Sequence, residues 1–263
     1  MSELSIVKSA AINYARNKFQ MIPWWLWLLQ IVLSSFFTMF FFAVMADYVS
    51  NPDVTVRFVV IGNVVQSIAA TTLYAVSDMP GSEKHTGMLG PLMQTPSNLF
   101  LIFLGMSFLN IIAGFISSTL SLCYAQFIFG IDLSGANMLS VAVILVLTVF
   151  SLTGFGMMIG SIGLRLRTSS IIANLVSYLG LLLCGVTFPL SYLPGWCQAI
   201  ADILPLTYGV NAMRSAADGA DVMYVSNDLL MMVVLGLMYL LISMLLFNLF
   251  ERKARALGTY DSF

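Results

Sequence analysis

Charge is what this sequence has least of. Asp, Glu, Lys and Arg together make up 9% of its 263 residues, against about 25% in a soluble globular domain. That scarcity excludes a water-soluble fold. The balance of 11 basic and 12 acidic residues gives no concentrated positive field, so no nucleic-acid partner is expected. Histidine occurs once, as His85, and cysteine three times. Cys123, Cys184 and Cys197 are odd in number and sit largely in apolar surroundings, so neither a disulfide framework nor a metal site is expected. The chain has no GxxxxGK[ST] phosphate loop and no HExxH zinc motif, and it lacks the paired intramembrane acids that would hold magnesium. No catalytic residue is therefore assigned, and the chain is not expected to be an enzyme.

What remains is apolar: 59% of the residues are hydrophobic. A helix needs about 20 apolar residues to cross about 30 Å of hydrocarbon. Six segments qualify, at 24–46, 58–78, 97–129, 138–163, 169–190 and 229–250, and they are numbered here as spans one to six. The alternation of a transmembrane barrel is absent, so the expected fold is an all-α integral membrane domain covering 1–263. The first apolar run is too long for a cleaved signal peptide, and no processing is expected.

Nine of the eleven basic residues fall in the N-terminal segment (Lys8, Arg16, Lys18), the 79–96 loop (Lys84), the 164–168 loop (Arg165, Arg167) and the C-terminal segment (Arg252, Lys253, Arg255). Only Arg57 and Arg214 fall on the other side. The positive-inside rule then makes both termini cytoplasmic. Within 1–22, Leu4, Val7, Ala11 and Tyr14 recur at helical spacing opposite Lys8, Asn13, Arg16 and Asn17, which predicts a helix lying in the membrane interface or packed on protein. Between spans five and six, 191–228 is half apolar, and Pro194 and Pro205 each open a helix-like stretch. Two short helices re-entering the outer leaflet are expected there.

Apart from Asp78 at the cytoplasmic end of span two, the spans contain no ionisable side chain. Ion-coupled transport places such groups inside the bilayer, so energy for any transport must come from a separate protein. Uncharged polar residues do form stripes. Asn63, Gln66, Ser67, Ala70 and Tyr74 share one face of span two, and Asn174, Ser177, Tyr178, Leu181 and Gly185 share one face of span five. Amides are costly against lipid, so both faces turn toward protein or water, either as packing seams or as walls of a pathway. Span four carries GxxxG at Gly156 and Gly160 with Gly154 and Gly163 nearby, a small-residue face for close helix approach within one chain or between two.

The loop between spans two and three, EKHTGMLGPLMQTP at 83–96, resembles the ERERGTLELLLATP-like segment of ABC-2 type transporter permeases. Glu83, Lys84, Gly87, Leu89, Leu92, Thr95 and Pro96 match without gaps. His85, Met88, Gly90 and Pro91 depart from that pattern. GVTFPLSYLPGWCQAIADILPLTYGVNAMR at 185–214 is similar to the family's proline-ended fifth span, PGW and PLTY followed by a helix ending in Arg. FERKARALG at 250–258 is a third match.

The resemblance implies a transmembrane subunit of an ATP-driven exporter in a bacterial cytoplasmic membrane, similar to drug- and antibiotic-resistance members. Its implied partners are two copies of an ABC ATPase, which carry the ATP and Mg, and a second copy of this permease or a homologous one. The chain itself binds no cofactor. The resemblance also makes the 79–96 segment a coupling helix. Its apolar Met88, Leu89, Leu92 and Met93 would enter an ATPase groove, with Glu83 and Lys84 fixing the register around Gly87. Competing functions are export of a lipid-linked saccharide or other envelope precursor, and a scaffold or sensor that transports nothing.

Overall fold

The computed structural model describes residues 3–49, 51–95, 97–165 and 169–257, and for residues 165, 169 and 254–257 the backbone alone. Pro96, Arg167 and Gly258, which figure in the expectations above, lie outside the described residues. Among the described residues the regular structure is all helical, with no strand.

Helix α1 (Glu3–Met21) precedes α2 (Trp24–Val49), which is span one. Span two is longer than expected. It comprises α3 (Val56–Ile68), a π-helical turn (Ala69–Leu73) and α4 (Tyr74–His85), so the helix runs on through Pro80 and past 78. Thr55 caps its start by accepting from the Phe58 N–H at 3.2 Å. Its end is set by Gly87, which takes φ +74°. The Met88 N–H reaches the Glu83 carbonyl (2.9 Å) and the Gly87 N–H reaches the Lys84 carbonyl (3.1 Å), a Schellman cap that favours glycine at that position.

After α5 (Leu89–Gln94) come α6 (Leu99–Phe127, span three) and α7 (Met138–Arg165, span four). Then follow α8 (Ser169–Leu183), the short α9 (Gly195–Ala201), α10 (Pro205–Ala217) and α11 (Ser226–Leu257, span six). Five of these helices are long and apolar enough to cross a membrane: α2, the α3–α4 rod, α6, α7 and α11. The expected fifth span, 169–190, differs. Its helix is 15 residues long, about 22 Å, because Gly185 at φ +70° breaks it and a run of bends leads to Pro189.

That break is held by Arg214, at the end of α10. Its guanidinium donates to the carbonyls of Gly185 (2.7 Å), Val186 (3.1 Å) and Phe58 (3.3 Å), and lies 3.4 Å from the Phe58 ring centre. A charged donor thus satisfies carbonyls that a broken helix would leave unpaired. Gly62 makes room for this, since a Cβ there would strike the Val186 carbonyl.

Helices in lipid gain little from expelling water and associate by close packing. Here α7 is the centre of that packing. A Cβ on Gly156 would sit 3.1 Å from Val76, one on Gly160 3.1 Å from Pro80, and one on Gly154 2.6 Å from the Gly236 carbonyl of α11. The GxxxG face is therefore used inside the chain, between spans four and two.

Helix α1 packs lengthwise on α6. Gly105 allows the approach, because a Cβ there would collide with the Val7 carbonyl. Ile6, Ala10 and Tyr14 join a buried cluster with Phe103, Met106 and Phe247. Lys8, Asn13, Arg16 and Asn17 face outward as expected, but so do Leu4 and Ile12, which shifts the packed stripe from the one expected. On the C-terminal side, Glu251 accepts from the Leu99 N–H at 3.2 Å, placing a carboxylate at the start of α6.

Candidate functional site

A cavity of about 1400 Å³ lies against the polar face of span two. Its walls come from α1, α2, the α3–α4 rod, α6 and α8. Asn63, Gln66, Ser67, Ala70 and Tyr74 line it from span two, and Asn174, Ser177, Tyr178 and Leu181 line it from α8. The two stripes thus share one space, joined across it by a 3.5 Å contact from Gln66 Nε2 to the Ser177 carbonyl. Gly185, the last member of the span-five stripe, is not at the cavity; it forms the helix break instead.

Three amide side chains at this cavity are almost wholly buried and half-satisfied. Asn63 (3% exposed) gives its Nδ2 to the Val59 carbonyl at 2.9 Å, yet its Oδ1 has no partner. Gln66 (5%) leaves Oε1 unpaired, and Asn110 of α6 (1%) leaves Nδ2 unpaired. Buried polar atoms nearly always find a partner, and each that does not costs about 1–3 kcal/mol. Two acceptors and one donor in the cavity wall are therefore left without a partner among the described residues.

The π-helical turn sits at the same level. The Thr71 hydroxyl donates to the Ser67 carbonyl (2.7 Å), and the Thr72 hydroxyl to the Asn110 carbonyl (3.0 Å). Gly114 of α6 leaves the space that Thr72 fills. One extra residue in the turn keeps the polar face directed at the cavity, and π-turns are frequent at functional sites. Beyond Tyr74 the lining continues through Asp78, Ser82, Glu83 and Thr86 to Met88. The cavity therefore runs from mid-span to the segment expected to couple to an ATPase.

That segment is arranged differently from the expectation. Glu83 and Lys84 are the last turn of α4, not part of α5. Leu89 (2% exposed) and Met93 (4%) point into the chain's own core with Leu99 and Phe103, so these two side chains are not offered to a partner. Met88, at 44% exposed, is offered. Leu92 is half-buried, and His85, Thr86, Gly87, Pro91 and Gln94 complete the outward surface.

Sequence reasoning missed Asn110 and Lys18 as parts of the cavity. The signal for Asn110 was present: Ser107, Asn110, Gly114, Ser117 and Ser121 recur every three to four residues along span three. Lys18 had been read only as a topology marker. Its Nζ makes a long 3.4 Å hydrogen bond to Asn110 Oδ1, and burial holds its pKa below the ordinary lysine value.

With this geometry in place, the family can be identified. A family model described as ABC-2 type transporter matches residues 3–217, which include α1 through α10. The chain belongs to the ABC-2 type transporter family. Comparison with curated proteins gave no match. This ABC-2 chain is thus a multi-pass integral membrane protein and a permease component that has no nucleotide-binding motif of its own. Permeases of the family work with an ABC ATPase partner.

Proposed function

We propose that this chain is the permease subunit of an ATP-driven exporter that moves an amphipathic or hydrophobic substrate, such as a drug, antibiotic or peptide, out across a bacterial cytoplasmic membrane. The observation carrying this reading is the cavity. It collects the polar stripes of α3 and α8, presents unpaired amide atoms, and continues to the 79–96 segment. Its volume of about 1400 Å³ exceeds the roughly 300–1,000 Å³ of drug-sized pockets, so a drug-sized guest fits with room to spare.

In this reading the chain spans the bilayer six times as one domain, 1–263. Helix α8 and the bent chain up to Pro189 make the fifth crossing, α9 and α10 re-enter the outer leaflet, and both termini are cytoplasmic. One face of α1 packs on α6 while the other meets lipid headgroups. Two ATPase subunits, carrying ATP and Mg, dock beneath the chain and a second permease copy or homologue. Met88, Leu92 and the turn at Gly87 form the contact, and Glu83 and Lys84 transmit closure along the α4 rod to Asn63, Gln66 and Ala70. The buried Leu89 ties α5 to the span bundle, so that motion of α5 is passed inward.

Reconstitution with the cognate ATPase in proteoliposomes tests this. ATP-dependent loss of an amphipathic dye from the ATP-containing side, abolished in a mutant ATPase, is the expected result. ATPase association without movement of any dye or peptide would favour a scaffold. Movement of a lipid-linked saccharide alone would reassign the substrate. Reporter fusions complete the test of topology, with residue 88 and the C-terminus cytoplasmic and positions near 132 and 220 outside.

A further inference from the structure

The cytoplasmic mouth of the cavity carries charge of both signs, with no ion pair between them among the described residues. Lys18 from α1 lines one side, and Asp78 and Glu83 from α4 also line the space. Asp78 accepts from the Ser170 hydroxyl at 2.5 Å, and Lys18 bonds to the amide oxygen of Asn110 and lies 5.6 Å from the Tyr14 ring centre. Among the described residues Lys18 thus has no carboxylate partner, although two acids share its cavity. Beside it, the almost fully buried Asn110 lines the same space next to Tyr14, and its Nδ2 makes no well-formed hydrogen bond among the described residues. An ammonium and a free amide N–H side by side are donors in search of an anionic acceptor. The acids supply the converse, acceptors for a primary ammonium.

We propose that this mouth is a zwitterion site, in which Lys18 and Asn110 hold the phosphate or carboxylate of an amphipathic guest while Asp78 and Glu83 hold its ammonium. The apolar part of the guest then lies along Phe37, Phe41 and Phe42 of α2, which line the same cavity. This rests on the cavity being the substrate path and names the class of substrate that enters it. Charges of both signs in one cavity select against guests bearing one sign only, because each such guest leaves the groups of its own sign desolvated and unpaired. The chemistry is shared by an aminophospholipid headgroup and by an acylated amino acid.

Direct binding tests it without ATP. The full-length chain, with Trp24, Trp25 and Trp196 replaced by Phe, is placed in phosphatidylcholine nanodiscs, leaving Trp27 at the cavity wall as the reporter. Four probes with the same brominated acyl or alkyl chain are titrated: lysophosphatidylethanolamine, O-acyl serine, an alkyl phosphate and an alkylamine. At least one of the two zwitterions should quench Trp27 at concentrations about tenfold below both singly charged probes, and which one does so identifies the source. Lys18→Gln should weaken the zwitterion and the phosphate by about tenfold and leave the amine unchanged, and Asp78→Asn should do the reverse. Lys18→Arg should restore zwitterion binding, whereas a merely structural lysine would give no such sign-specific pattern.

Equal quenching by all four probes, or equal effects of Lys18→Gln on phosphate and amine, overturns the proposal. If Lys18→Gln lowers the melting temperature sharply, the probe ranking on the parent protein and on Asp78→Asn decides. Charge selectivity that persists in a chain unable to export would refute the transport reading alone. Export without selectivity would refute the zwitterion site alone.

Discussion

The two faces of span two are built on opposite principles. One meets α7 with no space to spare, Val76 against Gly156 and Pro80 against Gly160. The other lines a cavity with Asn63, Gln66, Ala70 and Tyr74, and leaves two amide oxygens without partners. On the first face stability depends on the absence of side chains, and on the second the polar atoms cost stability while the cavity is empty. One helix therefore joins a rigid seam to a surface arranged for a guest, which lets force on its His85 end reach the cavity without loosening the bundle.

Substitution should separate the faces sharply. Gly160→Leu forces a branched side chain against the Pro80 ring and the Ser77 carbonyl, both 3.1 Å from the position of a Cβ. It should cost at least about 3 kcal/mol, seen as loss of monodisperse protein in detergent and a large fall in melting temperature. A normal melting temperature would show that the seam is not tight.

Near the Val56 end of the same helix, Arg214→Met removes a charged donor from three carbonyls. A loss of about 2–3 kcal/mol is expected, with local opening of the 184–189 chain detectable by hydrogen exchange. Just past its His85 end, Gly87→Ala meets no steric neighbour but places a Cβ on a φ of +74°, for about 1 kcal/mol. Its main readout is ATPase coupling, since the turn aims Met88.

The smallest stability effect belongs to the cavity face. Gln66→Leu deletes an unpaired acceptor together with one long 3.5 Å hydrogen bond, so the melting temperature should stay level or rise slightly, while the concentration of substrate giving half-maximal export changes severalfold. A large fall in melting temperature would make this face a packing seam like the other.

Much of this layout was legible in the sequence. Asn63, Gln66, Ser67, Ala70 and Tyr74 could be placed on one face because helical periodicity survives the π-turn, and the Asn174, Ser177, Tyr178, Leu181 stripe could be paired with them because amides avoid lipid. The length of α8 was harder to read. Composition runs apolar through 190, and only the φ of Gly185, with Arg214 folding back on its carbonyl, shows that the helix stops at Leu183. The orientation of α5 was also hidden. A six-residue helix flanked by apolar positions has no periodicity to say whether Leu89 faces a partner or its own core, and the core takes it. Lys18 was read by its charge, and charge alone does not reveal that α1 packs on α6 and carries the ammonium to Asn110.

The central claim is that the stripes on α3 and α8 face a water-accessible path, and thiol accessibility tests it most directly. Single cysteines are placed at Ala70, Ser177 and Leu181 in a background lacking Cys123, Cys184 and Cys197. Leu179 and Leu241, exposed residues away from the cavity lining, serve as lipid-facing controls, whereas Leu73, packed in the core, does not. With the ATPase bound, each is challenged with a membrane-impermeant thiol reagent without nucleotide, with ATP and with a trapped transition-state mimic. The account predicts rapid labelling of the three stripe positions in at least one state and none at the controls. Protection of all three in every state would contradict it.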